Sequence, residues 1–223
     1  MTDPRTIYNQ IYSLTGSIIA TGLCDDQNYP SMKSHPQGRV DISISDLDTT
    51  VYLKNVAYQE MYAELRALRA YNMKMIDGAL LLMQYRFVND KLLSHRLTFF
   101  PSPNLMAFQN EPLQYLEDEI FADIIGRQVV ALPIRFDYDE AAAVTREHPV
   151  SHMTLGQYKD CRIPVSAGLT PSVFLAFILR NFYHTEQISY EEAIKPFYDG
   201  FPDSIVSEEE QLLHVRLPVW ELR

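Results

Sequence analysis

The chain has 223 residues, with 19 Lys and Arg against 29 Asp and Glu, so its formal net charge is -10 at pH 7. That charge repels phosphate backbones over the molecule as a whole and argues against a protein that coats DNA. The apolar content of 47%, with 14 Tyr and 11 Phe, is enough to bury a sizeable core, which predicts a single folded domain over residues 1–223 and excludes a disordered chain.

The cysteines and the apolar runs bear on localisation. Cys24 and Cys161 occur in a chain whose start, MTDPRTIY, has no basic and then apolar signal peptide, so the sequence predicts a cytoplasmic protein with free thiols. The longest apolar run, Val173 to Leu179, is about a third of the ~20 residues that a membrane-spanning helix needs. We therefore expect no interaction with a membrane.

An amphipathic helix is predicted at the N-terminus. Asp3 and Pro4 can cap and begin it, its apolar residues recur every three or four positions, and Gly22 is a natural end. We expect this helix, residues 1–22, to dock on the rest of the domain.

A loop, a strand and a second helix are predicted next. Residues 25–38 contain two prolines and a glycine, which are typical of a loop. Residues 40–44 alternate apolar and polar side chains, as a half-buried strand does. Residues 51–70 have apolar side chains at helical spacing.

A β-hairpin is the clearest β prediction. Segments 78–87 and 92–100 are rich in strand-forming residues, and they flank the turn sequence Val88-Asn89-Asp90-Lys91. Two antiparallel strands joined by a tight turn follow from this pattern.

After the hairpin, the pattern predicts one helix and three strands. The helix is expected at residues 111–125 and a strand at 128–138, where Pro133 indicates a sheet edge or a bulge. Two shorter strands are expected around 152–155 and 162–165.

The C-terminal part predicts two helices and a last strand. Thr170 and Pro171 form a strong helix start, and the helix that follows is apolar nearly all round, so we expect it to be central. Ser189 and Glu192 form a capping box for a short helix. Residues 212–220 alternate with a period of two and predict a strand.

This order of elements lacks the regular alternation of a doubly wound parallel sheet. It predicts an α+β fold, with a mostly antiparallel sheet, packed helices and one central apolar helix.

A histidine pair is the first candidate for chemistry. His148 and His152 are four residues apart and could hold a divalent metal ion with Asp137, Asp139, Glu147 and Cys161. A proline between the two histidines opposes the helix that would place both imidazoles on one face. The alternative is a structural histidine that hydrogen-bonds a backbone carbonyl or a carboxylate, and no cofactor is expected unless the protein is a metal-dependent enzyme.

A cysteine nucleophile is the second candidate. Cys161 precedes Arg162, whose charge would stabilise a thiolate, and His152 could serve as its base. The favoured alternative is a small buried residue inside a strand.

Arginines form the third candidate. His95 and Arg96 should point to opposite faces of a hairpin strand, and a buried arginine there would need Asp137 or Asp139 as its partner. Eight basic residues between positions 86 and 180 are compatible with a local basic groove. The alternative is that most of them are surface charges or are paired with nearby acids. The eight residues are Arg86, Lys91, Arg96, Arg127, Arg135, Lys159, Arg162 and Arg180.

Four motifs together resemble a known bacterial family. They are HRLTFFPSPNL, PIRFDYD, HPVSHMTLGQYKDCRIPV and TPSVFLAFILRNFY. In this order they are similar to the family called domain of unknown function 2290, over a motif-bearing core at residues 76–183 and over most of the chain. The resemblance implies a stand-alone cytoplasmic bacterial protein and transfers no catalytic residue.

Three functions are compatible with these patterns. The leading hypothesis is a non-catalytic accessory subunit that docks on a larger partner, such as an ATPase or nuclease subunit, by weak analogy with orphan families of anti-phage defence systems. The second is a metal-dependent nuclease or other hydrolase, although no phosphate-cradling glycine loop or nucleophile elbow is present. The third is nucleic-acid binding through Arg96, Arg135, Arg162 and Arg180 on one face, which the net charge disfavours.

Overall fold

The computed structural model describes residues 2–44, 56–103, 132–158, 160–183 and 199–218. Within these ranges the chain forms four α-helices and nine strands. The helices are α1 Pro4–Ala20, α2 Tyr58–Ala67, α3 Pro171–Phe182 and α4 Ser207–Glu210. The strands are β1 Cys24–Gln27, β2 Ser31–Ser34, β3 Arg39–Ser43, β4 Met73–Met75, β5 Leu80–Val88, β6 Lys91–Phe100, β7 Ile134–Asp139, β8 Ser151–Leu155 and β9 Ile163–Pro164.

The strands form one antiparallel sheet. Its order is β1-β4-β5-β6-β7-β8-β9. The long strand β5 pairs with β4 through its first residues and with β3 through its last, and β2 pairs with β3 beyond it. The predicted α+β fold with a mostly antiparallel sheet is therefore confirmed.

The main core lies on one face of this sheet. Side chains of α1 and α3 pack against residues of β5, β6 and β7 that alternate toward the same side. The helical contribution comes from Ile7, Ile11, Leu14 and Ile18 of α1 and from Phe174, Leu175, Ile178 and Leu179 of α3. As predicted, α1 docks on the sheet and α3 is a central apolar helix.

A second, smaller core covers part of the opposite face. Met61, Tyr62 and Leu65 of α2 pack on Leu80 and Leu82 of β5. Because Gln84 and Arg86 follow on the same face of β5, this face changes from apolar to polar along the strand. The polar part of this face carries the candidate site.

Local signals explain the elements that were predicted correctly. The side chain of Asp3 caps α1 by accepting a hydrogen bond from the backbone N–H of Thr6 at 2.7 Å. Thr170 caps α3, with Pro171 at the first helical position. The hairpin turn has positive φ at both Asn89 and Asp90, as a two-residue type I′ turn requires.

The prediction of a loop at residues 25–38 was wrong. This segment holds most of β1, all of β2 and a 3₁₀ turn at Pro36–Gly38. β1 forms because it pairs with β4, which lies about fifty residues away in the sequence. The hydrogen bonds that β4 supplies cannot be predicted from a local pattern. The sequence also did not predict β4 itself.

Two further predictions need correction. Pro133 is not at a sheet edge or bulge, because β7 begins after it and lies between β6 and β8. Residues 212–218 do not form a strand. They contribute one isolated bridge, between Val215 and Val165, after the short helix α4.

Other predictions fall outside the described residues. These are residues 51–55 of the second helix, the helix at 111–125, the first part of the 128–138 strand, and the helix after Ser189. Among the helices that are described, none has the length and apolar character needed to cross a membrane.

Candidate functional site

Two rows of polar side chains run across the open part of the sheet. Strand alternation directs them away from the main core, into which their neighbours Tyr85, His95 and Tyr138 are buried. The first row is Asp41, Arg86, Ser94 and Asp139, and the second is Gln84, Arg96, Asp137 and His152. Antiparallel pairing thus brings together residues that are up to about one hundred positions apart.

These rows form the floor of a cleft of about 530 Å³. Lys33 and His35 border it on the β2 side, and His148 and Arg162 border it next to β8 and β9. The described lining includes five cationic side chains and three aspartates, which gives a net charge of +2 when the histidines are neutral. An acidic protein therefore has a locally basic cleft.

The Asp137 cluster consists of Asp137, Arg96, Arg135 and His152. Arg96 Nε donates a hydrogen bond to Asp137 Oδ1 at 2.8 Å, and Arg135 Nε lies 2.5 Å from Asp137 Oδ2. Burial would raise the pKa of the Asp137 carboxyl, but the two guanidinium groups hold it below its usual value. The predicted pairing of Arg96 with an aspartate of the next strand is confirmed.

The Asp41 cluster has the same composition and consists of Asp41, Arg39, Arg86 and His35. Arg86 Nε donates to Asp41 Oδ1 at 3.2 Å. Arg39 and His35 lie 3.5 Å and 3.3 Å from Asp41 Oδ2. The sequence analysis did not identify this cluster. The available signal was the alternation in β3, which puts Arg39 and Asp41 on the face opposite Ile42.

The surroundings of His152 favour its neutral state. Its Nδ1 donates to the carbonyl oxygen of Pro149 at 2.9 Å, while Nε2 lies 3.8 Å from Asp137 Oδ2. Burial lowers the pKa of His152 more than Pro149 and Asp137 raise it. The His148 ring packs edge-on against it, with centroids 4.7 Å apart. This is the structural histidine of the sequence analysis, although it also lines the cleft.

The proposed metal ligands are only partly brought together. His148, His152, Asp137 and Asp139 all line the cleft, but Asp139 Oδ1 already accepts the backbone N–H groups of two residues that follow it. No group of three or more His, Cys, Asp or Glu side chains within the described ranges is arranged to hold a metal ion.

Cys161 and Arg180 lie away from this cleft. Cys161 is in the loop between β8 and β9 and not inside a strand, and its Sγ accepts the N–H of Leu155 at 3.5 Å. Arg180 is on the exposed side of α3, which covers the other face of the sheet. The expectation that Arg180 shares a face with Arg96, Arg135 and Arg162 was therefore wrong, whereas those three all line the cleft.

Comparisons with known proteins agree with the motifs. No curated protein and no solved structure matches the chain. One family model, described as an uncharacterized conserved protein, matches residues 23–217 and includes every strand of the sheet. The chain therefore belongs to the DUF2290 family.

Proposed function

We propose that this protein binds nucleic acid in the cleft on the polar face of the sheet, through the phosphate groups of the nucleic-acid backbone. The observation that carries the proposal is the Asp137 cluster, where one carboxylate contacts Arg96 and Arg135 through their Nε atoms. A guanidinium group oriented in this way keeps its two terminal amino groups for another acceptor, and phosphate oxygens match their fork geometry.

The charge of the cleft supports the same ligand. The cleft is cationic in a protein whose net charge is -10, so an anion gains favourable electrostatic energy there. The two aspartates at the centres of the clusters orient the arginines but do not cancel their charge. Binding to this cleft is therefore compatible with the absence of general DNA coating that the net charge predicts.

The same geometry favours binding over metal-dependent hydrolysis. A divalent cation that approached Asp137 would have to displace two guanidinium groups, at a high electrostatic cost. The hydrolase hypothesis stays a prediction, and assays of DNA and RNA cleavage with Mg²⁺ or Mn²⁺ for wild type and His152→Ala would check it.

Loss of one cleft arginine should weaken binding. For Arg96→Gln we expect the dissociation constant of a labelled single-stranded oligonucleotide to rise about tenfold, because one charge-assisted contact is lost and Asp137 is less neutralised. Fluorescence anisotropy at constant salt measures this change. Arg180→Gln is the matched control, since it removes the same charge from the other side of the sheet.

Two results would contradict the proposal. One is wild-type protein that binds neither DNA nor RNA at low salt, and the other is equal weakening by Arg96→Gln and Arg180→Gln. Thermal melting of each variant distinguishes lost binding from lost folding. The accessory-subunit hypothesis stays a prediction, which co-purification of a stoichiometric ATPase or nuclease with the native protein would check.

A further inference from the structure

We infer that the cleft has two anion subsites, the Asp137 cluster and the Asp41 cluster, and that together they bind the backbone of one unpaired nucleic-acid strand. This inference rests on the proposed function and specifies its ligand. It concerns the form of nucleic acid, the number of phosphates bound and the second set of residues that binds them.

The two clusters are built alike. Each has an aspartate in contact with two arginines and one histidine, and both lie on the polar face of the sheet. Arg86 contacts Asp41 through Nε, as Arg96 contacts Asp137. The argument for terminal amino groups that can contact another acceptor therefore applies to Arg86 at the second cluster, whereas Arg39 contacts Asp41 through a terminal amino group.

The separation of the clusters suits two phosphates of one strand. Arg86 and Arg96 lie on adjacent strands and are offset by two residues, because Arg86 pairs with Ser94. Strand geometry then puts their Cα atoms roughly 8 Å apart. The two side chains lean away from each other, toward Asp41 on β3 and Asp137 on β7, so their guanidinium groups lie farther apart than the Cα atoms. We therefore expect the clusters to bind phosphates that are more than one phosphodiester step apart.

An unpaired donor lies between the clusters. Gln84 pairs with Arg96 across the sheet and is two residues from Arg86 on β5. Its Nε2 atom is buried and has no hydrogen-bond partner among the described residues, and neither has His148 Nδ1. A buried donor without a partner costs stability, so a polar ligand in the cleft would offset that cost.

The shape of the cleft favours an unpaired strand. Its volume, about 530 Å³, is that of a small-molecule pocket, and the arginines lie on its floor. A duplex presents its phosphates on a convex, stiff surface, so it can place fewer of them in a concave cleft than a flexible single strand can. The lining tyrosines, Tyr85 and Tyr138, are core residues and offer no exposed ring for base stacking. Binding should therefore depend on phosphates and not on base identity.

Competition by short 5′-phosphorylated oligonucleotides tests the inference. We expect affinity to rise with length from one nucleotide and to level off at about three to four, for both DNA and RNA, with a duplex of equal length binding several-fold more weakly. Arg86→Gln should weaken binding of a tetranucleotide about tenfold, as Arg96→Gln does, and should affect a mononucleotide much less. Arg180→Gln should change neither.

The outcomes separate this inference from the proposed function. If Arg96→Gln weakens binding and Arg86→Gln behaves like Arg180→Gln, only one subsite exists and the inference is wrong while the function stands. Preference for a duplex, or no dependence on length, also overturns it. If wild type binds no oligonucleotide, both fail. Arg86 is 48% exposed, so its replacement should leave the melting temperature unchanged.

Discussion

His95 is the residue for which burial has the clearest consequence. It lies next to Arg96 but points into the main core, where its Nε2 accepts the backbone N–H of Leu169 at 2.9 Å. Burial lowers the pKa of His95 to about 4, against the opposing effect of Asp137. Protonation would set an N–H against the Leu169 N–H, so the fold requires the neutral imidazole.

This requirement predicts a loss of stability in mild acid. Because the pKa of His95 is lower in the folded state than in the unfolded state, unfolded chains bind more protons as the pH falls below about 6.5. The free energy of unfolding should therefore decrease by about 2 kcal/mol at pH 5 on account of this residue.

Urea unfolding of wild type and His95→Gln between pH 7 and pH 5 checks this expectation. The glutamine variant should lose stability less steeply, and the slope that remains includes His152, whose pKa is also lowered by burial. Identical pH dependence in both proteins would show that His95 is not the cause.

Contacts between site residues could be predicted from the sequence only where both residues lie on two strands that were predicted to be neighbours. The pairing of Arg96 with Asp137 followed from two predicted neighbouring strands. The Asp41 cluster did not follow, because Asp41 and Arg86 are 45 positions apart and their pairing depends on the register of β3 on β5.

At the scale of elements, the β5–β6 hairpin positions the cleft. It carries Arg86 and Arg96, and its register is set by the turn at Asn89 and Asp90, whose φ angles are 48° and 63°. Both side chains are exposed, so the turn depends mainly on backbone conformation, including the hydrogen bond that the Asn89 N–H donates to the carbonyl oxygen of Gly38 at 3.0 Å.

Substitution of Asp90 should therefore report on backbone strain alone. Asp90→Ala is expected to lower the free energy of unfolding by about 1 kcal/mol, because alanine tolerates the left-handed region less well than aspartate. Asp90→Gly should cost less than Asp90→Ala, since glycine adopts that region freely. Equal losses for the two variants, measured by denaturant unfolding, would contradict the turn assignment.

The elements that were predicted from the sequence differ from those that were missed in the local signals that they carry. Helices α1 and α3 and the hairpin were predicted because caps, turn residues and periodicity are local signals. Strands β1, β2 and β4 have three or four residues each, too few to show a period. β1 forms because β4, about fifty residues away, pairs with it, whereas β2 and β4 pair with the strands that follow them, β3 and β5.

At the scale of the whole molecule, the net charge and the cleft charge have opposite signs. In the proposed binding mode, the total of -10 repels a nucleic acid at long range, whereas the cationic cleft attracts its phosphates at short range. Binding should therefore be specific to the cleft and sensitive to salt.

Salt titration tests this balance. For two phosphates held in the cleft, one at each cluster, the slope of the logarithm of the binding constant against the logarithm of salt concentration should be about -1.4 for a single strand. Arg96→Gln should make the slope shallower by about 0.7, whereas Arg180→Gln should leave it unchanged. A wild-type slope near zero would mean that phosphate contacts do not drive binding.

The sequence by itself determined the α+β class, the main helices, the hairpin and the family, because each depends on local patterns or on the order of several motifs along the chain. Only the tertiary structure decided which charged residues share the cleft. It places Asp41 and His35 beside the hairpin and Arg180 on the other face of the sheet. The physical reason is that strand register and helix placement are set by long-range pairing and burial, which assign each polar side chain to one face of the sheet.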